Sequence, residues 1–384
     1  MLAVGCGDQS GAAPATTPPR PAPLAVTGAT STPIEVGPPI GHTLTGVDRD
    51  AGLSVALRDG STLWLFGDTA ARRSDESLRY FIVGTAAWAP PGRPAETHDH
   101  DAGGRPLPFL TPTADFPSCP GDKPVAGLWP SSAVVQHVGE RDRVVIWLEN
   151  VCLGDGGGVQ GMGMAVAEWW YDPAAPPDGQ PVQGTVLNSV LFPRRGFGMT
   201  SVLDGADRAF VYACAPAGQE GEAATDGQCQ VGRVELDHVA DPDAYDVWDG
   251  SVWGSISTSK AARLSLPTEE GSSAFAASGL SVAFDPGLGK YVMAYTPWPG
   301  YSNEIEVRVA DQPVGPWSSP THVPLPHCED ERNGVHHYCY AATTQPLFSS
   351  PGSLALGYYD RLVSPDPPRG AYLVITVPVD TDRE

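Results

Sequence analysis

Positive charge is scarce in this sequence: Lys and Arg total 23 against 45 Asp and Glu, a formal net charge of -22. A field of that sign repels phosphate backbones and anionic membrane surfaces, so nucleic acid is not an expected partner. Long 3.6-period amphipathic runs are missing too, which excludes a helical bundle. There is no Gly-rich phosphate loop, no nucleophile elbow and no zinc-binding helix motif. The cysteine spacings match no common zinc pattern, and neither a resident metal nor a cofactor is expected.

What the chain has in excess is turn formers. Gly 44 and Pro 40 with only 18% charged residues, in 384 residues, suit a turn-rich all-β protein. The clearest stretch is 48–69, which reads as a β-hairpin. Leu53, Val55 and Leu57 alternate on the way out, and Leu63 and Leu65 on the way back, while Trp64 and Phe66 fill the other face. Both faces therefore read as buried. Arg58-Asp59-Gly60-Ser61 supplies the turn, since Asp-Gly tolerates the positive φ of a tight hairpin. Folding about Asp59–Gly60 brings Asp50 opposite Thr69 and beside Asp68.

That hairpin recurs at 131–149, 200–214, 279–296 and 343–360. Aligned on Ser54, Ser132, Ser201, Ser281 and Thr344, each copy starts from a hydroxyl, turns, and returns to an aromatic. Further strands follow several copies. Five repeats of three or four short strands predict an all-β, five-bladed β-propeller over residues 41–380. The repeat spacing of roughly 60–80 residues exceeds the about 45 of common propeller repeats, so the loops are long. Two packed β-sandwiches are the structural alternative; small residues on the first strands favour crowding round a channel.

In a propeller the start of each first strand and the end of each second strand share one rim. This places Asp50, Asp68, Trp129, Glu149, Trp298, Tyr301, Tyr359 and Asp360 together. Aromatic faces stack on sugar rings, and two carboxyl groups do the acid–base work of glycoside cleavage. Asp50 and Asp68 are the expected catalytic pair, and Glu149 a possible third carboxylate. Close carboxylates raise one another's pKa, which supplies a protonated acid; which of the two keeps the proton is open. His98-Asp99-His100-Asp101 reads as a solvated loop, and His336-His337 as either structural or site-facing.

The N-terminus, Leu2-Ala3-Val4-Gly5-Cys6, resembles a bacterial lipobox. The basic n-region and most of the apolar h-region are missing, consistent with a start further upstream. Residues 1–6 are thus read as a truncated lipoprotein signal with Cys6 lipidated, and 7–40, rich in Pro, Ala and Thr, as a disordered tether. Seven cysteines less Cys6 leave six. An even number in an exported chain points to three disulfides of undetermined pairing. Neighbour pairing is expected: Cys119–Cys152, Cys214–Cys229 and Cys328–Cys339.

Asp50-Ala-Gly-Leu-Ser54 with Leu63-Trp-Leu-Phe-Gly-Asp-Thr69 resembles the opening signature of the bacterial domain of unknown function 4185. Val231-Gly-Arg-Val-Glu-Leu, Asp241-Pro-Asp-Ala-Tyr-Asp-Val-Trp-Asp-Gly250, Ser281-Val-Ala-Phe-Asp-Pro-Gly-Leu-Gly-Lys-Tyr291 and Gly315-Pro-Trp-Ser318 extend the likeness over about residues 40–380. The resemblance implies a five-bladed propeller. Some members, grouped as glycoside hydrolase family 183, are endo-D-arabinofuranases that cut mycobacterial arabinan. Their acidic pair falls in motifs that map onto Asp50 and Asp68. The long loops at 90–128 and 215–230 and the disulfides depart from the pattern. The expected protein is a monomeric bacterial lipoprotein, at the cell surface or in the periplasm, touching the membrane only through its anchor. It would hydrolyse a furanose-containing polysaccharide; the alternative is a non-catalytic glycan- or protein-binding propeller.

Overall fold

The computed structural model describes residues 19–39, 44, 46–73, 77–121, 124–154, 159–176, 179–194, 196–214, 229–267, 277–297, 302–325, 328, 331–332, 335–336, 339–365 and 368–380. Five antiparallel sheets stand round a common axis as the blades of a propeller. Blade 1 runs from Asp48–Arg49 and Leu53–Ala56 through Thr62–Arg72 and Leu78–Ala89 to His98–Asp99. Blade 2 is Val125–Val138, Arg141–Leu153, Val159–Tyr171 and Thr185–Phe192. Blade 3 begins with Thr200–Asp204 and Arg208–Cys214, and blade 4 with Ala277–Asp285 and Lys290–Pro297. Blade 5 is Cys339–Thr344, Ser353–Pro365 and Pro368–Asp380.

The strands form a ring because both faces of each are apolar. Along the second strand of blade 2, Val144, Ile146 and Leu148 pack on Leu63 and Leu65 of blade 1, while Val145 and Trp147 pack on Val211 and Tyr245 of blade 3. Alternate residues of a strand point to opposite faces, so one strand feeds two cores. Equivalent cores join blade 3 to blade 4 through Tyr212 and Tyr295, and blade 4 to blade 5 through Val292 and Leu356. Trp64 and Phe66 close the ring against Tyr372 and Val374 of blade 5.

The closure is also polar. Ser54 Oγ donates to Gln345 Oε1 at 2.6 Å, and Thr343 Oγ1 donates to the Gly52 carbonyl at 3.3 Å. Outside these, Ala25–Val26 and Ile34–Glu35 add to the outer strand of blade 5, and Val36 is buried. The spacer reading of 7–40 therefore does not hold for this stretch: short apolar pairs inside a Pro-rich segment complete the exposed edge of a sheet. Residues 1–18, with Cys6, lie outside the described residues.

The hairpin register differs by one residue from the expected fold-back. Leu57 N–H donates to the Ser61 carbonyl, so the turn centres on Asp59, and Asp50 lies opposite Asp68 rather than Thr69. All three neighbour disulfides form, Cys119–Cys152, Cys214–Cys229 and Cys328–Cys339. Among the described residues no helix is long and apolar enough to cross a membrane.

Candidate active site

The ring encloses a cavity of about 340 Å³, within the range of small-ligand pockets. Asp50, Trp129, Glu149 and Tyr340 line it, and so do all five residues on which the repeats align, Ser54, Ser132, Ser201, Ser281 and Thr344. The first strand of every blade therefore reaches the cavity.

Asp50 and Asp68 meet across the blade 1 ladder. The Asp68 backbone N–H donates to Asp50 Oδ1 at 2.6 Å, and the Tyr340 hydroxyl donates to Asp50 Oδ2 at 2.6 Å. Gly67 makes this possible: an added Cβ there would stand 2.7 Å from Asp50 Oδ1. That contact is the physical content of Gly in the Phe-Gly-Asp-Thr stretch. Asp68 Oδ1 accepts the Trp129 indole N–H at 2.8 Å. Neither carboxyl is paired with an Arg among the described residues.

Both carboxyls are hard to ionise. Burial pushes Asp50 up to about 6; Tyr340 and the Asp68 N–H pull against it, and the nearby Asp48 charge adds to it. Burial, then the Asp50 charge, push Asp68 up to about 8, with only the Trp129 indole opposing. The two titrate as a pair. Asp50 has two donors to its charged form and Asp68 has one, which favours Asp50 as the first of the two to ionise.

Glu149 pairs with Trp129 in the blade 2 ladder, is 8% exposed and lines the cavity. Tyr359 is buried and donates to Asp48 Oδ1 at 2.8 Å; its ring lies 4.9 Å from that of Tyr340. Asp360 is 3% exposed and stands opposite Cys339 in the blade 5 ladder. Trp298 and Tyr301 lie outside the described residues. Asp99 is not solvated: its carboxylate is buried against Arg49, whose guanidinium also sits over Phe66. His98–Asp99 is a strand on the edge of blade 1, so the His-Asp run does not behave as a free loop.

Tyr340 escaped the sequence reading. A signal for it exists in the alignment of repeats, because Tyr340 stands four residues before Thr344 as Asp50 stands four before Ser54.

A sequence profile described as a domain of unknown function, DUF4185, matches residues 168–362, half of the chain. The chain belongs to the DUF4185 family. The matched segment runs from blade 2 into blade 5; it contains Tyr340 and follows Asp50 and Asp68. No curated protein matches the sequence. A candidate hydrolase from Bacteroides ovatus is similar in structure, with a TM-score of 0.59 and 13% identity over 85% of each chain. At that identity the likeness shows a shared fold alone. A family 117 glycoside hydrolase of Zobellia galactanivorans gives a TM-score of 0.47 at 7% identity over 91% of each chain. The catalytic domain of a Coprinopsis cinerea GH62 alpha-L-arabinofuranosidase gives 0.44 at 8% identity over 93% of this chain and 98% of the other. Neither of these two bears on the assignment.

Proposed function

We propose that this DUF4185 protein is a glycoside hydrolase that cuts a furanose-containing, arabinan-like polysaccharide outside the cytoplasm, held at the cell surface by a lipid on Cys6. What supports the reading is the Asp50–Asp68 pair beside the cavity: Asp50 lines it, Asp68 sits behind the lining residues Gly67 and Trp129, and burial holds the proton on Asp68 to a higher pH than on Asp50. That is the division of labour glycoside cleavage needs. Asp68 gives its proton to the leaving oxygen. Asp50 attacks the anomeric carbon or activates a water. Glu149 and Trp129 bound the space the sugar would fill. Three disulfides favour an oxidising compartment.

The test is release of reducing ends from arabinan and other cell-wall glycans by the purified protein. Asp50→Asn and Asp68→Asn should each lower the rate by about 10²-fold or more. Full activity in both variants removes the mechanism. Glycan binding without any product would instead make the protein a carbohydrate-binding propeller.

A further inference from the structure

Two residues beside the acid pair hold an unusual backbone. Ala51 has φ 50° and Ala341 has φ 57°, the left-handed region that residues with a Cβ avoid. They are the only non-glycine residues with positive φ among those described. Both line the cavity. Each follows directly on one partner of the same hydrogen bond, Asp50 in blade 1 and Tyr340 in blade 5. Their positions are equivalent in the two repeats, three residues before Ser54 and three before Thr344. Such a conformation costs about 1–3 kcal/mol and persists only where the surroundings over-determine it. Here the backbone bends twice, on opposite sides of the ring closure, and the two bends aim one hydroxyl at one carboxylate.

The Tyr340 side chain is placed by more than that bond. Its ring lies 4.9 Å from Tyr359, whose own hydroxyl is engaged by Asp48. Gly279 of blade 4 approaches Ala341 so closely that an added Cβ would lie 2.5 Å from its Cα. The groups round Asp50 are then Asp48 on its own strand, Asp68 on the paired strand, and Tyr340 and Tyr359 from blade 5. Arg361 acts on Tyr359; Arg49 faces away to Asp99, and Glu149 lines the same cavity from blade 2. The neighbours nearest Asp50 are acids and tyrosines. The hydroxyl of Tyr340 is the one side-chain donor it receives among the described residues.

We propose that Tyr340 is the positioning residue that keeps Asp50 the ionised member of the pair, its hydroxyl bound to Oδ2 so that Oδ1 keeps its backbone donor and the proton stays on Asp68. The proposal rests on the hydrolase reading for its consequence, and on geometry alone for the hold itself. Blade 5 thereby sets the acid–base roles of two residues that blade 1 supplies.

The experiment compares the full chain with Tyr340→Phe, which keeps the ring stack and deletes the donor. Tyr359→Phe is the control, since it removes a hydroxyl from Asp48 and none from Asp50. Two readouts are taken: the pH profile of kcat/KM on arabinan, and ¹³C NMR titration of Asp carboxyls, assigned with Asp50→Asn and Asp68→Asn. Tyr340→Phe should move the acidic limb and the Asp50 titration upward by about one pH unit, with the rate at the pH optimum falling less than about tenfold. Tyr359→Phe should move both by less. An acidic limb and a titration left in place would overturn the proposal, as would a loss at all pH values that points to Tyr340 reacting itself. If the wild-type chain cleaves no glycan, the hydrolase reading fails, and the carboxyl titration alone decides whether Tyr340 holds Asp50.

Discussion

At the scale of residues, the site is a problem in where one proton resides. Asp50 and Asp68 are half-buried; burial makes both harder to ionise, and the Asp50 charge makes Asp68 harder still. A carboxyl whose folded pKa lies above its unfolded value adds stability that is complete below about pH 4 and lost as pH rises through about 6 and then about 8. The pair is thus a source of instability at neutral and alkaline pH. Asp68→Asn keeps an acceptor for the Trp129 indole and removes the charge, so it should raise the melting temperature by about 3 °C at pH 8 and change it little at pH 4. Calorimetry at the two pH values checks this; an equal shift at both would mean the carboxyl is not strained by burial. The nearness of Asp50 and Asp68 was legible because a short hairpin brings its two strand ends together; that they stand directly opposite one another was not, since the turn centres one residue away from the expected fold-back. Tyr340 was not, because its bond to Asp50 spans 290 residues of sequence and exists only once the ring is shut.

At the scale of elements, the first strands act as struts that carry chemistry at their upper ends. Blade 1 brings Asp50, blade 2 Trp129 and blade 5 Tyr340, and blade 4 contributes a glycine. Gly279, at φ 73°, leaves no room for a side chain beside Ala341. Gly279→Ala meets backbone, which cannot swing aside, and adopts a conformation unfavourable to alanine. It should destabilise the fold by about 2 kcal/mol or more and lower activity by displacing Tyr340. Chemical denaturation together with the rate on arabinan checks both; a variant of unchanged stability would show that the strand end yields freely. The repeat of Asp50-Ala51 in Tyr340-Ala341 shows how an element can be copied while its chemistry diverges. The backbone bend is common to both, and a carboxyl in one faces a hydroxyl in the other.

At the scale of the whole molecule, everything depends on blade 5 meeting blade 1. Trp64 and Phe66 pack on Tyr372 and Val374, and Ser54 bonds Gln345. The segment 25–36 reinforces this by covering the outer edge of blade 5. Thr27, Ser31 and Val36 donate backbone hydrogen bonds to Pro378, Thr376 and Tyr372. Each such bond is worth about 1 kcal/mol net. Removing residues 1–37 should lower the melting temperature by about 5 °C or more, because a buried edge is bared as well. A truncated chain that melts with the full one would restore the view that this segment is a plain spacer.

The apolar residues on both faces of each hairpin, repeated from Ser54 to Thr344, point from sequence alone to five stacked sheets, since a strand with two dry faces needs a neighbour on each side; that they close into a ring and not two sandwiches was decided by the tertiary structure. The presence of the hairpin and the even cysteine set are local constraints of the same kind and read directly, whereas the hairpin register came out one residue away from the expected fold-back. What only the tertiary structure decided is which donors reach the acids. Tyr340, the left-handed alanines and the pairing of Ile34–Glu35 with the last blade arise from contacts between distant ends of the chain. No periodic pattern records such contacts, because they follow from how the ring closes and not from the preference of any one segment.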